Sequence, residues 1–136
     1  MSLSFEIIYM IDLDGAKNFP ITIPTDGPYI LEYANIMPGA TKAKATVNYT
    51  TIRLFDCGAG GTEDVEVAIV RNSNKTLDLA AVDKAFTANV KAAMCMRYNQ
   101  NTPCVLSGNG LKIVKQDNAA AQDLKESVLT LKLRTY

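Results

Sequence analysis

Two aspartates one residue apart, Asp12 and Asp14, follow a short apolar stretch and precede Gly15 near the start of this 136-residue chain. Carboxylates at this spacing can act as a nucleophile and as a general acid or base, provided that a fold holds both beside a substrate. The chain contains no histidine. The commonest general base and the histidine-dependent nucleophilic dyads are therefore excluded, and an enzyme would need carboxylates, Lys, Tyr or an added cofactor.

The stretch YMIDLDGA, Tyr9 to Ala16, resembles the first motif of the haloacid-dehalogenase-like phosphatases. This resemblance implies that Asp12 would be the nucleophile and Asp14 the acid/base. Ala16 stands where that family usually has Thr, and no later acidic pair follows a strand to hold magnesium. We therefore interpret Asp14-Gly15 as a hairpin turn with the glycine at positive φ, and we keep a phosphatase-like enzyme as an alternative.

Three cysteines, Cys57, Cys95 and Cys104, form an odd set without paired spacing. This pattern argues against a secreted disulfide scaffold and against a zinc site. Cys57 lies in the stretch DCGAGGTED, which lacks the Lys-Ser/Thr ending of a phosphate-binding loop. We predict no catalytic residue, no metal and no cofactor, and we assign Cys57 to a loop that contacts another copy of the chain.

The composition limits the possible partners. Acidic and basic residues number 14 each, so no overall field attracts the chain to nucleic acid or to a membrane. Charged residues interrupt the N-terminal apolar run, and no apolar stretch is long enough for a transmembrane helix. The sequence therefore predicts one domain, residues 1–136, that is made in the cytoplasm, has no membrane partner, and resides in the virion if it is viral.

Alternating apolar and polar residues predict strands along much of the chain. Phe5 to Leu13 is the first, and Phe19 to Ile23 returns as the second arm of an N-terminal hairpin, with Pro20 confining it to a sheet edge. A third strand covers residues 29–36, and residues 42–71 are predicted to form a long hairpin around the cysteine loop. The C-terminal SVLTLKLRTY predicts a strand that is paired inside a sheet or across a subunit boundary.

From Thr76 the spacing of apolar residues becomes helical. The apolar stripe consists of Leu79, Val82, Phe86, Val90 and Ala93. We predict a long amphipathic helix that ends near Asn99, and a short helix through AAAQDLKE that is capped by Asp117 or Asn118. The predicted fold class is therefore α+β, an antiparallel β-sheet with one long amphipathic helix, one short helix and a C-terminal strand.

One predicted strand carries a row of alternating polar side chains, namely Lys42, Lys44, Thr46, Asn48 and Thr50. Cations followed by hydrogen-bonding side chains on one strand face can contact a phosphate backbone and splayed bases, so this row is the candidate nucleic-acid-binding site. The alternative is an ordinary solvated face. In that case Asp64 and Glu66 on the neighbouring strand pair with these cations or with Arg53.

The order of the predicted elements resembles that of the coat proteins of small single-stranded RNA phages. FEIIYMIDLDGAKNFPITI looks like their N-terminal hairpin, RLFDCGAGGTEDVEVAIV like their final hairpin with its loop, and LDLAAVDKAFTANVKAAM like the helix that follows. The resemblance implies an antiparallel sheet whose inner face binds RNA, and helices that clasp a partner subunit. Lys44, Thr46 and Asn48 are similar in type and alternation to an RNA-facing strand.

The sequence thus favours a non-catalytic structural protein that self-assembles, with a viral or phage coat protein as the specific form. Its main partner would be itself, in a homodimer or a larger assembly, with RNA as a second partner. One alternative is the carboxylate-dependent, phosphatase-like enzyme that uses Asp12 and Asp14. A further alternative is a small monomeric module with a ligand under the long helix.

Overall fold

A computed structural model describes residues 4–14, 17–23, 29–58, 62, 64–74, 97–98, 105–106, 110–119 and 123–135. Alternation of apolar and polar residues favours strands, and most of the described residues lie in strands. The strands are β1 (Ser4–Asp14), β2 (Lys17–Thr22), β3 (Tyr29–Met37), β4 (Thr50–Asp56), β5 (Val65–Arg71), β6 (Arg97–Tyr98), β7 (Val105–Leu106), β8 (Gly110–Asp117) and β9 (Asp123–Thr135).

The predicted α+β class is wrong, because the described residues form strands and contain no helix. The short helix predicted through AAAQDLKE is replaced by β9, which begins at Asp123 and pairs with β1. Local helix propensity is a weak preference, and cross-strand pairing along a whole strand overrides it. Most of the long helix predicted over 76–99 lies outside the described residues, but Arg97–Tyr98 near its end form a strand beside β5.

The strands form two antiparallel sheets. Sheet A has the order β1-β9-β3-β7 and sheet B the order β2-β8-β4-β5-β6. Because β1 lies in sheet A and β2 in sheet B, the predicted N-terminal hairpin is wrong. The pairs are nested along the chain, β1 with β9, β2 with β8, β3 with β7 and β4 with β5. This nesting is the topology of a double-sheet jelly roll, in which one long hairpin is rolled into two layers.

A single hydrophobic core lies between the sheets. Leu129, Leu131 and Leu133 of β9 have no exposed surface, and they share one cluster with Ile52 of β4 and Ile113 of β8. Complete burial of each such side chain stabilises the fold by about 1.5–3 kcal/mol. The prediction of a paired C-terminal strand is confirmed, because β9 lies between β1 and β3.

The pairing of β1 with β9 contains a bulge near its end. One residue of β1, Asp12, lies opposite two residues of β9, between the pairs Ile11–Ser127 and Leu13–Leu124. Glu126 takes a φ of 57° there, a conformation that residues with a Cβ rarely adopt. With this extra residue, Ile11 and Leu13 of β1 and Leu124 of β9 all stay buried in the core.

Candidate functional site

The aspartates singled out from the sequence lie at the end of an antiparallel strand. Asp12 is exposed, and Asp14 lies opposite Asp123 in the register of β1 and β9. A cavity of about 390 Å³ adjoins this end of the strand and is lined by Met10, Ile11, Asp12 and Glu126. Within the described ranges no three His, Cys, Asp or Glu residues come together as a metal site.

The polar row predicted from residue 42 does not share a strand face. The strand β4 begins only at Thr50, and residues 38–49, here called the 38–49 loop, form no strand. Lys44, Thr46 and Asn48 are exposed and Lys42 is half-buried, whereas Thr50 has no exposed surface. Thr50 therefore does not share an exposed surface with the other four residues, and the nucleic-acid-binding role of the row stays a prediction.

Asn72, which directly follows β5, holds the 38–49 loop against sheet B. Its side-chain oxygen accepts a hydrogen bond from the Thr50 amide at 2.7 Å, and its Nδ2 donates to the Ala43 carbonyl at 3.1 Å. Its own carbonyl accepts from the Ala45 amide at 3.1 Å. Asn72 is fully buried, so it gives the buried Thr50 amide a partner and ties the backbone of Ala43 and Ala45 to the end of β5.

Two further asparagines complete this attachment, and with Asn72 they are called the asparagine clamp. Asn118 follows β8, and its Nδ2 donates to the Val47 carbonyl at 2.7 Å while its amide donates to the Tyr49 carbonyl at 2.8 Å. The amide of Asn74 donates to the carbonyl of Ala45 at 2.9 Å. Asn118 therefore binds loop backbone instead of capping the short helix predicted from the sequence.

A buried ion pair lies beside the clamp. Lys115 Nζ approaches Asp117 Oδ1 at 2.7 Å and Oδ2 at 2.9 Å, and the Thr50 hydroxyl donates to Oδ1 at 2.6 Å. The side chain of Lys115 has no exposed surface and that of Asp117 has 7%. Lys115 lies opposite Ile52 in the register of β8 and β4, so its cation is held within the sandwich.

A polar cleft opens where β4, β5 and β8 end at the clamp. It measures about 260 Å³ and is lined by Tyr49, Thr51, Arg53, Arg71, Gln116, Asp117 and Asn118; we call it the arginine cleft. Arg53 Nε lies 3.2 Å from Glu66 Oε1 of β5, one of the pairings that the alternative interpretation as a solvated face allowed. The cleft itself was missed, since its residues come from segments that are distant in the chain.

Cys57 lies at the base of its loop, directly after β4. Its amide donates to the Gly110 carbonyl at 3.2 Å, and the residue is half-buried. Burial raises the pKa of the Cys57 thiol, Asp64 and Asp56 raise it further, and Lys112 partly opposes them. The protonated thiol is a weak nucleophile. Cys95 and Cys104 lie outside the described residues.

The strand β1 forms an edge of sheet A, since its only strand partner in the described part of the chain is β9. Its outward side chains Ile8 and Met10 are 61% and 73% exposed. Its inward side chains Phe5, Ile7 and Tyr9 remain half-buried, although the β9 leucines opposite them are fully buried. Both faces of this edge therefore present apolar surface to solvent.

The edge strand β2 of sheet B is different. There β2 carries Pro20, which lies opposite Lys112 and has no amide hydrogen to offer a further strand. Proline and charged residues are the usual protection of a sheet edge against pairing with another chain. From Ser4 to Asp14, β1 has no proline, and its charged residues are Glu6, Asp12 and Asp14. Every residue of β1 therefore keeps an amide hydrogen, which makes it less protected than β2 in this respect.

Comparisons with known proteins found no match, neither to a protein-family model nor to a curated protein. Among the described residues no helix has the length and apolar character needed to cross a membrane. We therefore infer function from the geometry of the described residues.

Proposed function

We propose that this chain is a non-catalytic structural protein that assembles with copies of itself, in the manner of a viral or phage coat protein. The observation that carries the proposal is the open, apolar edge of β1. Exposed edges of this kind pair readily with a strand from another chain. A second copy is the simplest partner, because two identical edges can pair antiparallel about a twofold axis.

Pairing of two β1 edges would satisfy backbone groups and cover apolar surface at once. The amides and carbonyls of the open edge would gain strand partners in place of water. Ile8 and Met10 would contact their counterparts across the axis, and the half-buried Phe5, Ile7 and Tyr9 would lose their remaining contact with solvent. Each square ångström of apolar surface removed from water contributes about 25 cal/mol.

The jelly-roll topology supports the same proposal by analogy. Double-sheet jelly rolls occur in viral capsid domains, and also in lectins and cupins, so the topology by itself does not decide between these uses. A closed shell is the assembly that a coat protein would form. In such a shell, the exposed Lys44, Thr46 and Asn48 with the half-buried Lys42 on the 38–49 loop would be the predicted contacts for RNA.

Light scattering coupled to size exclusion, with absorbance recorded at 260 and 280 nm, tests the assembly. The chain has no Trp and six Tyr, so bound RNA would dominate the absorbance ratio. We expect a species larger than a monomer. A large particle with a high ratio means a shell that packages nucleic acid, and one with a protein-like ratio means assembly without cargo. A strict monomer at high concentration contradicts the proposal.

A double substitution on the edge locates the contact. Ile8→Lys combined with Met10→Lys places two cations on the outward face of β1 and should convert the assembly to monomers. The matched control is Val47→Lys, because Val47 is 58% exposed but lies on the 38–49 loop. It should leave the assembly intact. Unchanged particles in the double variant, with a normal far-UV circular dichroism spectrum, would move the interface away from β1.

A further inference from the structure

The arginine cleft lies on three adjacent strands of sheet B, namely β4, β5 and β8. Thr51 of β4 lies opposite Arg71 of β5 on one side and opposite Gln116 of β8 on the other. The three residues therefore form one row across three adjacent strands. Arg53 lies on β4, two residues after Thr51. Side chains on strands are held more firmly than those on loops, so the cleft is built on a rigid floor.

Arg53 is held in one orientation. Its Nε lies 3.2 Å from Glu66 Oε1, and its Nη1 donates to Gln116 Oε1. The contact with Glu66 is an ion pair without hydrogen-bond geometry. A guanidinium carries five N–H donors in a fixed plane, so the bond to Gln116 leaves further donors that can face a ligand. The Arg53 side chain is 29% exposed, so an incoming acceptor can reach it.

Arg71 is held by an aromatic ring. Its Cζ lies 5.4 Å from the centroid of Tyr49, within the range of a cation–π interaction. Tyr49 is in turn anchored through its carbonyl, which accepts from the Asn118 amide at 2.8 Å. Two arginines fixed before binding lose little side-chain entropy when they meet a ligand.

Two guanidinium groups lie among the residues that line the cleft. Asp117 is the acidic residue of the lining, but its oxygens already accept from Lys115 and Thr50. Glu66 pairs with Arg53, and the cationic side chains of the lining are Arg53 and Arg71. A planar guanidinium fork matches the paired oxygens of a carboxylate or a phosphate.

We propose that the arginine cleft is a binding site for a small oxyanion, a phosphate or carboxylate group, held between the guanidinium groups of Arg53 and Arg71. Gln116 and Glu66 orient Arg53, and Tyr49 orients Arg71. The site lies on sheet B, and the proposed assembly edge lies on sheet A. Binding at the cleft is therefore a function separate from assembly, and either can fail without the other.

Isothermal titration of the intact protein tests this site, with inorganic phosphate and acetate as separate probes and glucose as a neutral probe, all at constant ionic strength. We expect saturable binding of phosphate or acetate at one site per chain. Added NaCl should weaken it because salt screens charge. Saturation by glucose alone would overturn the oxyanion assignment, and so would the absence of saturable binding by all three probes.

Conservative variants locate the binding. Arg53→Lys and Arg71→Lys keep the charge but remove the planar fork, and each should weaken binding by about tenfold. Arg134→Lys is the matched control, because Arg134 lies on sheet A, 2.8 Å from Glu32. Equal weakening in all three variants would overturn the assignment to the cleft, as would unchanged binding in both cleft variants. A far-UV circular dichroism spectrum identifies any variant that fails to fold.

Discussion

The ammonium group of Lys115 lies 2.7 and 2.9 Å from the two carboxylate oxygens of Asp117, and neither side chain has more than 7% of its surface exposed. The two residues are two positions apart on β8, so both point to the inner face of sheet B. Removal of two charges from water is costly, and the contacts of this pair with each other and with Thr50 offset that cost.

Lys115→Met should destabilise the protein strongly. The substitution leaves the buried carboxylate of Asp117 without its cation, and breaking a buried pair on one side costs about 3–5 kcal/mol. Urea unfolding at neutral pH measures the loss. Lys112→Met is the control, because Lys112 pairs at 2.6 Å with Asp64, whose side chain is 58% exposed, and it should cost less than about 1 kcal/mol. Equal losses of unfolding free energy in the two variants would mean that the buried ion pair contributes no more to stability than the exposed one.

Asn72→Ala should release the 38–49 loop. The buried Thr50 amide and the carbonyl of the exposed Ala43 would each lose a side-chain partner. A buried group left unsatisfied, here the Thr50 amide, costs about 1–3 kcal/mol. Hydrogen exchange should become faster at the Thr50 amide. Asn74→Ala is the comparison, because Asn74 is exposed and its side chain makes a 3.3 Å bond to Thr46; exchange at Thr50 should then be unchanged. Protection retained in the Asn72 variant would rule out its anchoring role.

Glu126→Gly should stabilise the protein by up to about 1 kcal/mol. Glu126 is exposed and has a φ of 57°, a conformation that costs a residue with a Cβ roughly 1–2 kcal/mol. Part of the gain is lost because glycine is more flexible in the unfolded chain. Thermal unfolding measures the difference. Glu126→Ala keeps the Cβ and should bring no gain, so equal stabilisation by both substitutions would exclude backbone strain as the cause.

Cys57 should react slowly with iodoacetamide at neutral pH. Burial first, and then the nearby aspartates, raise the pKa of the thiol, and the thiolate is the form that reacts. The alkylation rate should rise with pH, with a midpoint above about 8.5, the usual pKa of a cysteine thiol. Mass spectrometry of the peptide that contains Cys57 follows the reaction. Lys112→Met should slow the reaction further, because Lys112 lowers this pKa.

Lys44→Met, on the distant loop, should leave the alkylation rate of Cys57 unchanged. Rapid modification of the native protein at neutral pH would contradict the raised pKa of the half-buried thiol. It would also favour the sequence-based assignment of Cys57 to an exposed contact loop. The urea-unfolded chain provides the reference rate for a fully accessible thiol.

Local features of the fold were predictable from the sequence. The alternation from Phe5 to Leu13 and in SVLTLKLRTY correctly indicated β1 and β9 with their leucines facing the core. Within the predicted 42–71 hairpin the pairing of β4 with β5 was correct, although β4 begins at Thr50 and not at residue 42. The contact of Arg53 with Glu66 matches the alternative interpretation as an ordinary solvated face. These features depend on the period of two residues along a strand, which the sequence carries directly.

Two other features depend on contacts between distant segments, and local sequence patterns predicted them wrongly. The alanine-rich stretch before Leu124 favours a helix by propensity, yet Asp123–Thr135 is one strand, because β1 and β3 pair with it on both sides. Thr50 belonged to the polar row by alternation, yet it is buried because Asn72 and Asp117 bind it. In both cases contacts with distant residues outweighed the local preference.

The sequence by itself determined which segments extend, which side chains face a core, and the absence of histidine chemistry. Tertiary structure alone decided which strands pair, and so placed β1 at an open edge and brought Tyr49, Arg53, Arg71 and Gln116 into one cleft. The reason is that strand alternation is a local property that is compatible with many partners. The choice among them depends on burying one common core between two sheets, which joins residues as distant in the chain as Phe5 and Leu133.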